Sequence, residues 1–278
     1  MNDAFELNQP LSETTFAVFD VETTGLSPTY GHRVCEVGCL RARGGVELGW
    51  FESLVDPGRS ISPGAFHVNR ITAEMLGGAP RFEAVAGPLL EVMEGAVLVG
   101  HNAPFDLGFL AAELEMARLA RPENPAIDTL SLARRVYRLP RNGLEAVAAA
   151  LGVECGTAHR AMGDVRTTSR VLERMLEDLE RQWGVTRLGE LMELQGGPIR
   201  FPDSSALPLP PTIAEALESG GRVRMRYVDG RGRETERAVR PLRVSAQGGN
   251  LYLVAHCYRR DALRTFRLDR VVEMELEG

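Results

Sequence analysis

Two carboxylates, Asp20 and Glu22, stand two residues apart directly after the apolar run Phe16-Ala17-Val18-Phe19. A short apolar run of this kind reads as a strand buried on both faces. Side chains at i and i+2 of an extended chain project to the same side. The spacing therefore points both acids off one side of a strand end. Held that close they repel, and each resists losing its water. A hard divalent cation between them removes the conflict, because ions such as Mg²⁺ take oxygen ligands. For this stretch alone, a solvated acidic turn at a strand end is the simpler alternative.

Three more residues could join that chemistry. Asp106 follows a second buried run, Ala96–Val99, and opens a helical pattern. Alone it reads as a helix N-cap. His159 and Asp164 lie five apart, which does not put both on one helix face. The spacing fits a histidine on the loop entering a long helix, with the acid in its first turns. Alone, His159 is a loop residue, and Asp164 is a first-turn acid favoured by the helix dipole.

The elements that must position these groups follow from hydrophobic period and breakers. Phe16–Glu22, Arg33–Arg43 and Val46–Val55 read as strands, the last two joined through Gly44-Gly45. Short helical pieces are expected at Pro63–Val68 and Thr72–Leu76, and a helix with one apolar face at Phe82–Met93. Ala96–Val99 and Ala126–Asp128 read as short strands. Helices are expected from Asp106 to about Leu119, over Leu130–Tyr137, from Asn142 to Leu151, from Ala161 to Trp183 and over Arg187–Leu194. A three-strand meander followed by alternating strands and helices argues for an α/β layered domain on a mixed sheet. Residues 196–211, rich in Gly, Pro and Ser, read as a linker. The division is thus 1–195, a linker over 196–211, and a second domain over 212–278. In that domain a short helix, Thr212–Ser219, precedes five strands: Arg222–Val228, Thr235–Val244, Leu251–Cys257, Ala262–Leu268 and Val271–Leu276. The turn Gln247-Gly248-Gly249-Asn250 separates the second from the third. Short strands with tight turns point to a small all-β barrel or sandwich.

Composition excludes some classes. The 278 residues contain no run near the roughly 20 apolar residues that cross a bilayer, and no signal-peptide pattern. A cytoplasmic chain with no membrane partner is expected. Cys35, Cys39, Cys155 and Cys257 form no C-x-x-C pair, so neither a disulfide framework nor a zinc knuckle is expected. Every basic residue other than histidine is arginine. Residues 220–278 hold 13 arginines against 8 acids, whereas 1–219 hold 19 against 30. The acidic part is a poor non-specific nucleic-acid binder, while the basic end could touch phosphates.

Taken in order, the motifs resemble those of the DEDDh-type 3′–5′ exonucleases, the family that includes proofreading subunits of bacterial replicative DNA polymerases. The matching stretches are Val18–Leu26, Gly100–Leu110 and His159–Asp164, with Phe66–Thr72 between them. The resemblance covers roughly residues 14–180. It implies a ribonuclease-H-like mixed sheet flanked by helices, and hydrolysis assisted by two Mg²⁺ or Mn²⁺ ions about 3.5–4 Å apart. By the same resemblance Asp20 bridges both ions, Glu22 and Asp164 hold the one carrying water, and Asp106 supports the other. His159 is the general base, a task that suits an imidazole. Thr23 lies beside the terminal nucleotide, and Phe105 and Phe66 are candidates for base stacking, with core packing an equal alternative. His101 and Asn102 match the pattern as substrate contacts or as local structural residues. The implied partner is nucleic acid with single-stranded or frayed 3′ ends, DNA in preference to RNA.

The C-terminal stretches Gly221–Tyr227, Arg240–Leu242, Asn250–His256 and Arg264–Val271 resemble a WYL domain, a small Sm/SH3-like barrel. Here Leu251-Tyr252-Leu253 stands where that family is named for Trp-Tyr-Leu. The resemblance implies binding of nucleic acid or a regulatory ligand, with Tyr252, His256, Arg264 and Arg267 as candidates. Arg222, Arg224 and Arg226 would share one strand face, as ligand contacts or as a charged edge. Two further readings remain for the whole chain: a non-catalytic nucleic-acid or nucleotide sensor on the same fold, and an RNA-trimming exoribonuclease.

Overall fold

The computed structural model describes residues 6–28, 31–202, 211–247 and 250–277. Strands β1 (Thr15–Thr23), β2 (Val34–Arg43), β3 (Val46–Leu54), β4 (Val97–Gly100) and β5 (Ala126–Asp128) form one mixed sheet in the order β3-β2-β1-β4-β5. The meander β1–β2–β3 is antiparallel, and β4 and β5 run parallel to β1. Alternation along β1 assigns its faces. Ala17, Phe19 and Val21 pack with Phe82 and Leu89 of α2 (Phe82–Met93) and Leu107 and Leu110 of α3 (Ala103–Met116). Phe16 and Val18 pack on the other side with Val165, Leu172 and Met175 of α6 (Ala161–Trp183). Asp20 and Glu22 continue this second series, so the end of β1 presents both acids toward α6.

The remaining helices are α1 (Pro63–Asn69), α4 (Thr129–Leu132), α5 (Leu144–Leu151), α7 (Leu188–Gln195) and α8 (Pro211–Ser219). The predicted Leu130–Tyr137 helix is divided into α4 and a wider turn at Ala133–Tyr137. Thr72–Leu76 is a turn rather than a helix. Thr72 Oγ1 accepts from the Met75 N–H, as an N-cap does, but Gly77-Gly78 stop propagation, Gly78 with φ +88°. Residues 196–202 do not behave as a free linker. Ile199 pairs with Ala126 beyond the edge of β5, and both Ile199 and Phe201 pack on the α2/α3 core. The rest of that stretch, 203–210, and the glycines of the expected turn at 248–249 lie outside the described residues. Cys35, Cys39 and Cys257 are buried free thiols and Cys155 is exposed. Among the described residues no helix is long and apolar enough to cross a membrane.

The five C-terminal strands fall where expected: β6 (Arg222–Val228), β7 (Glu234–Gln247), β8 (Asn250–Cys257), β9 (Ala262–Arg267) and β10 (Val271–Glu277). They form an open antiparallel sheet in the order β10-β6-β7-β8-β9, not a closed barrel. Closure is not required to bury the apolar face. Ile213 and Ala216 of α8 fill it, and Leu26 of the first domain packs against the same cluster. β6 is therefore an interior strand, and its arginines do not guard an edge. Arg224 pairs with Glu277 at 3.2 Å, Arg226 with Glu273 at 2.8 Å, and Arg222 lies 4.2 Å over the Tyr258 ring.

One close approach decides where α6 begins. Gly38 sits opposite Asp20 in the β1–β2 register. A Cβ there would lie 2.9 Å from the Ala161 carbonyl carbon and the Met162 nitrogen. Gly38→Ala should force α6 away from the sheet and lower stability by about 1–3 kcal/mol, as overpacking does. Denaturant titration with an unchanged m-value checks this.

Candidate active site

One side-chain oxygen from each of Asp20, Glu22 and Asp164 lies within 4.8 Å of the other two. β1 supplies the first two and the first turn of α6 the third. Burial above all, and then the Asp164 and Glu36 charges, push the Asp20 carboxyl well above its ordinary range. Burial, Asp20, Asp164 and Glu36 do the same to Glu22, against a lowering hydrogen bond from Asn69. Asp164 is pushed up to about 6, chiefly by burial, while His159 opposes the shift. Asp106 comes to the same place from α3. Its Oδ1 accepts from the Val21 N–H at 3.1 Å, between the two β1 acids. Burial and then Asp20 raise its pKa. His159 is exposed on the entering loop with φ 59°, and its backbone N–H donates to Asp164 Oδ2 at 3.1 Å. The four acids thus converge, and His159 adjoins them through its backbone contact with Asp164.

The supports of this cluster were missed in the sequence. Glu36 on β2 faces Glu22 in register and is 1% exposed. It accepts from Arg160 Nε at 3.1 Å and from the Ala161 N–H at 3.0 Å. The pair fixes the first residue of α6 to β2 and so places Asp164 beside Asp20. The signal available was a lone charge inside the apolar run Val34-Cys35-Glu36-Val37, since buried charges need partners. Gly163 completes the joint: a Cβ there would fall 1.9 Å from the Thr157 carbonyl oxygen. Asp128 was missed too. Its Oδ1 accepts from the Asn102 N–H at 2.7 Å and the Ala103 N–H at 3.2 Å, which anchors the start of α3 and hence Asp106.

The other candidates divide. His101 is engaged by the Thr129 hydroxyl at 2.9 Å and the Asn142 carbonyl at 2.8 Å, and burial lowers its pKa. Asn102 adopts φ 75° at the turn into α3, a conformation asparagine tolerates. Both stand in the turn between β4 and α3. Thr23 is buried and donates from Oγ1 to the Gly25 carbonyl at 2.7 Å. Phe105 is half-buried, tilted against Phe109, and lines a cavity of about 140 Å³ with Glu22 and Thr23. Phe66 on α1 is exposed. In the C-terminal sheet Tyr252 lies opposite Arg267, and His256 shares its face by the strand period. Arg264 lies opposite Ala255 and belongs to the other face.

A family model described as Exonuclease matches residues 17–172. The chain belongs to the exonuclease family. A WYL domain model matches residues 209–276. Over 175 residues, 63% of the chain, it is 37% identical to a PolC-type DNA polymerase III of Bacillus cereus, and the match spans 12% of that polymerase. Over 189 residues, 65% of the chain, it is 38% identical to a Mycobacterium tuberculosis protein named as a bifunctional exonuclease/endonuclease, spanning 29% of it. Among solved structures, a full-length 3′-exonuclease superposes with TM-score 0.53 at 20% identity, over 63% of this chain and 64% of that one. At that identity the likeness shows the fold.

For an exonuclease, the cluster offers a donor set that a hard divalent cation fits. Three carboxylates converge, are raised first by burial and then by neighbouring negative charge, and have the neighbouring Arg160 already committed to Glu36. A carboxyl whose folded pKa is raised costs stability once pH rises from its unfolded value through its folded one. At pH 7.5 Asp20→Asn should therefore raise the metal-free melting temperature by a few degrees. Mg²⁺ or Mn²⁺ should raise that of the unaltered protein and leave the variant nearly unmoved. Thermal scans with and without chelator read both effects.

Proposed function

We propose that the protein is a divalent-metal-dependent 3′–5′ exonuclease that acts on DNA ends. What carries the reading is the gathering of Asp20, Glu22 and Asp164 within 4.8 Å, on a chain of the exonuclease family. Asp20, Glu22 and Asp164 would hold two Mg²⁺ or Mn²⁺ ions, with Asp106 in support. Bound ions of this kind offset phosphodiester charge and lower the pKa of water. His159 takes the proton of the attacking water on a ring nitrogen. Water adds to the terminal phosphorus, the bond to the preceding 3′ oxygen breaks, that oxygen takes a proton from solvent to become the new 3′ hydroxyl, and a nucleoside 5′-monophosphate leaves. Thr23 and Phe105 border the terminal nucleotide. The printed name of the DNA polymerase III relative supports DNA over RNA.

The WYL-like domain adds a nucleic-acid or ligand surface on the Tyr252, His256 and Arg267 face. Domain bounds of 1–195 and 212–278 serve this division of labour. The joint substitution Asp20→Ala, Glu22→Ala should abolish release of labelled 3′ nucleotides by the purified protein in Mg²⁺ or Mn²⁺. Survival of activity would overturn the assignment of catalysis to this cluster. Arg267→Ala should weaken DNA binding and reduce the slope of log affinity against log salt by about one for a lost phosphate contact. An unchanged slope would assign that face to an uncharged ligand or a protein.

A further inference from the structure

The cavity beside the acidic cluster is lined from both domains. Glu22 and Thr23 of β1, Leu26 in the following turn, Val68 of α1 and Phe105 of α3 come from the nuclease side. Val271 and Val272, at the start of β10, come from the C-terminal sheet. The docking that brings them there is specific. Leu26 packs into the C-terminal core, and His67 of α1 meets Glu234 of β7 at 2.7 Å. Val271 and Val272 are 2% and 6% exposed. The β10–β6 ladder also shifts register between Val271 and Glu273, so that Val272 has no partner on β6. A bulge of this kind re-aims a side chain, and bulges concentrate next to active sites.

We propose that Val271 and Val272 form one wall of the pocket for the 3′-terminal base, so that the C-terminal domain helps decide which end the nuclease accepts. The inference rests on the exonuclease reading and deepens it. The cavity's size supports the assignment. At about 140 Å³ it is smaller than the roughly 300–1,000 Å³ of sites that take a whole small molecule. It admits part of a nucleotide, not a strand. Its character supports a base: an aromatic ring at Phe105 offers a stacking face, aliphatic side chains from two domains enclose it, and its polar side chains, Glu22, Thr23, Ser62 and Asn69, all come from the nuclease side. The sugar-phosphate is thereby left toward the carboxylates while the base enters the apolar end. Shape discrimination in such a pocket is sensitive to single methyl groups, at about tenfold or more each.

Val272 is the residue to vary, because Val271 also belongs to the C-terminal core. Val272→Ala widens the wall and Val272→Leu narrows it. The substrates are single-stranded DNA oligonucleotides identical except for the 3′-terminal residue, which is dA, dT or a tetrahydrofuran abasic unit. Expected is a shift of about tenfold in kcat/KM for dA relative to the abasic end, in opposite directions for the two variants. Rates on the abasic end should stay within about twofold of the unaltered protein. Melting temperatures confirm that both variants fold, and either variant alone suffices to read the ratio. If the ratios do not move, the wall assignment is wrong. If all three substrates change equally, the sheet acts as a cover over the site and the assignment is likewise wrong. If the unaltered protein releases no nucleotide from any end, the exonuclease reading itself fails and the wall falls with it.

Discussion

Carboxylates at short range repel, and the first domain is arranged so that three of them stay together regardless. Asp20 and Glu22 are forced to one side by the strand period. Asp164 arrives on a helix whose first residue is tied to the sheet by Glu36 and Arg160. Gly38 removes the side chain that would hold that helix off the sheet, and Gly163 the one that would push away the entering loop at Thr157. The cost of the arrangement appears as raised carboxyl pKa values, first from burial and then from the neighbours' charge. Sites whose ionisable groups are perturbed by burial together with specific charges are where chemistry is commonly found. The strain of the metal-free cluster and its affinity for a cation are therefore two sides of one electrostatic fact.

The second domain is coupled to this site through ordinary packing. α1 stands between the two units: its Asn69 side chain donates to the Thr23 carbonyl, while its His67 reaches Glu234. Leu26, four residues after Glu22, is buried partly by the C-terminal core. An open sheet leaves one apolar face that needs cover, and the turn after β1 supplies part of it. Any motion of the sheet would consequently be felt at the rim of the acidic cluster, without a long relay.

Much of the fold was legible. Phe82–Met93, Ala126–Asp128 and Ala161–Trp183 have the bounds their periodicity and breakers indicate. Thr72–Leu76 was misread because an N-cap and an acidic first turn start a helix but do not sustain one against two glycines. The barrel was misread because strand count and turn spacing do not say whether the first and last strands meet. The arginines of β6 were legible as a face but not as a paired one, since the partners of Arg224 and Arg226 lie on β7 and β10 and that of Arg222 is Tyr258.

The sequence alone determined what depends on neighbours a few residues away. It set which side of β1 carries the acids, that Asp164 falls in a first helical turn while His159 stays outside it, and the order of motifs that marks the family. Only the tertiary structure decided what depends on contacts across the chain. Glu36 meets Arg160 over 124 positions, Asp106 reaches the Val21 N–H over 85, and β10 closes a cavity beside Thr23. The reason is physical: backbone period and capping are local and leave their pattern in adjacent residues. The pairing of a buried charge, or the docking of one sheet on another domain's helix, is selected by shape and desolvation among surfaces that the linear pattern does not bring together.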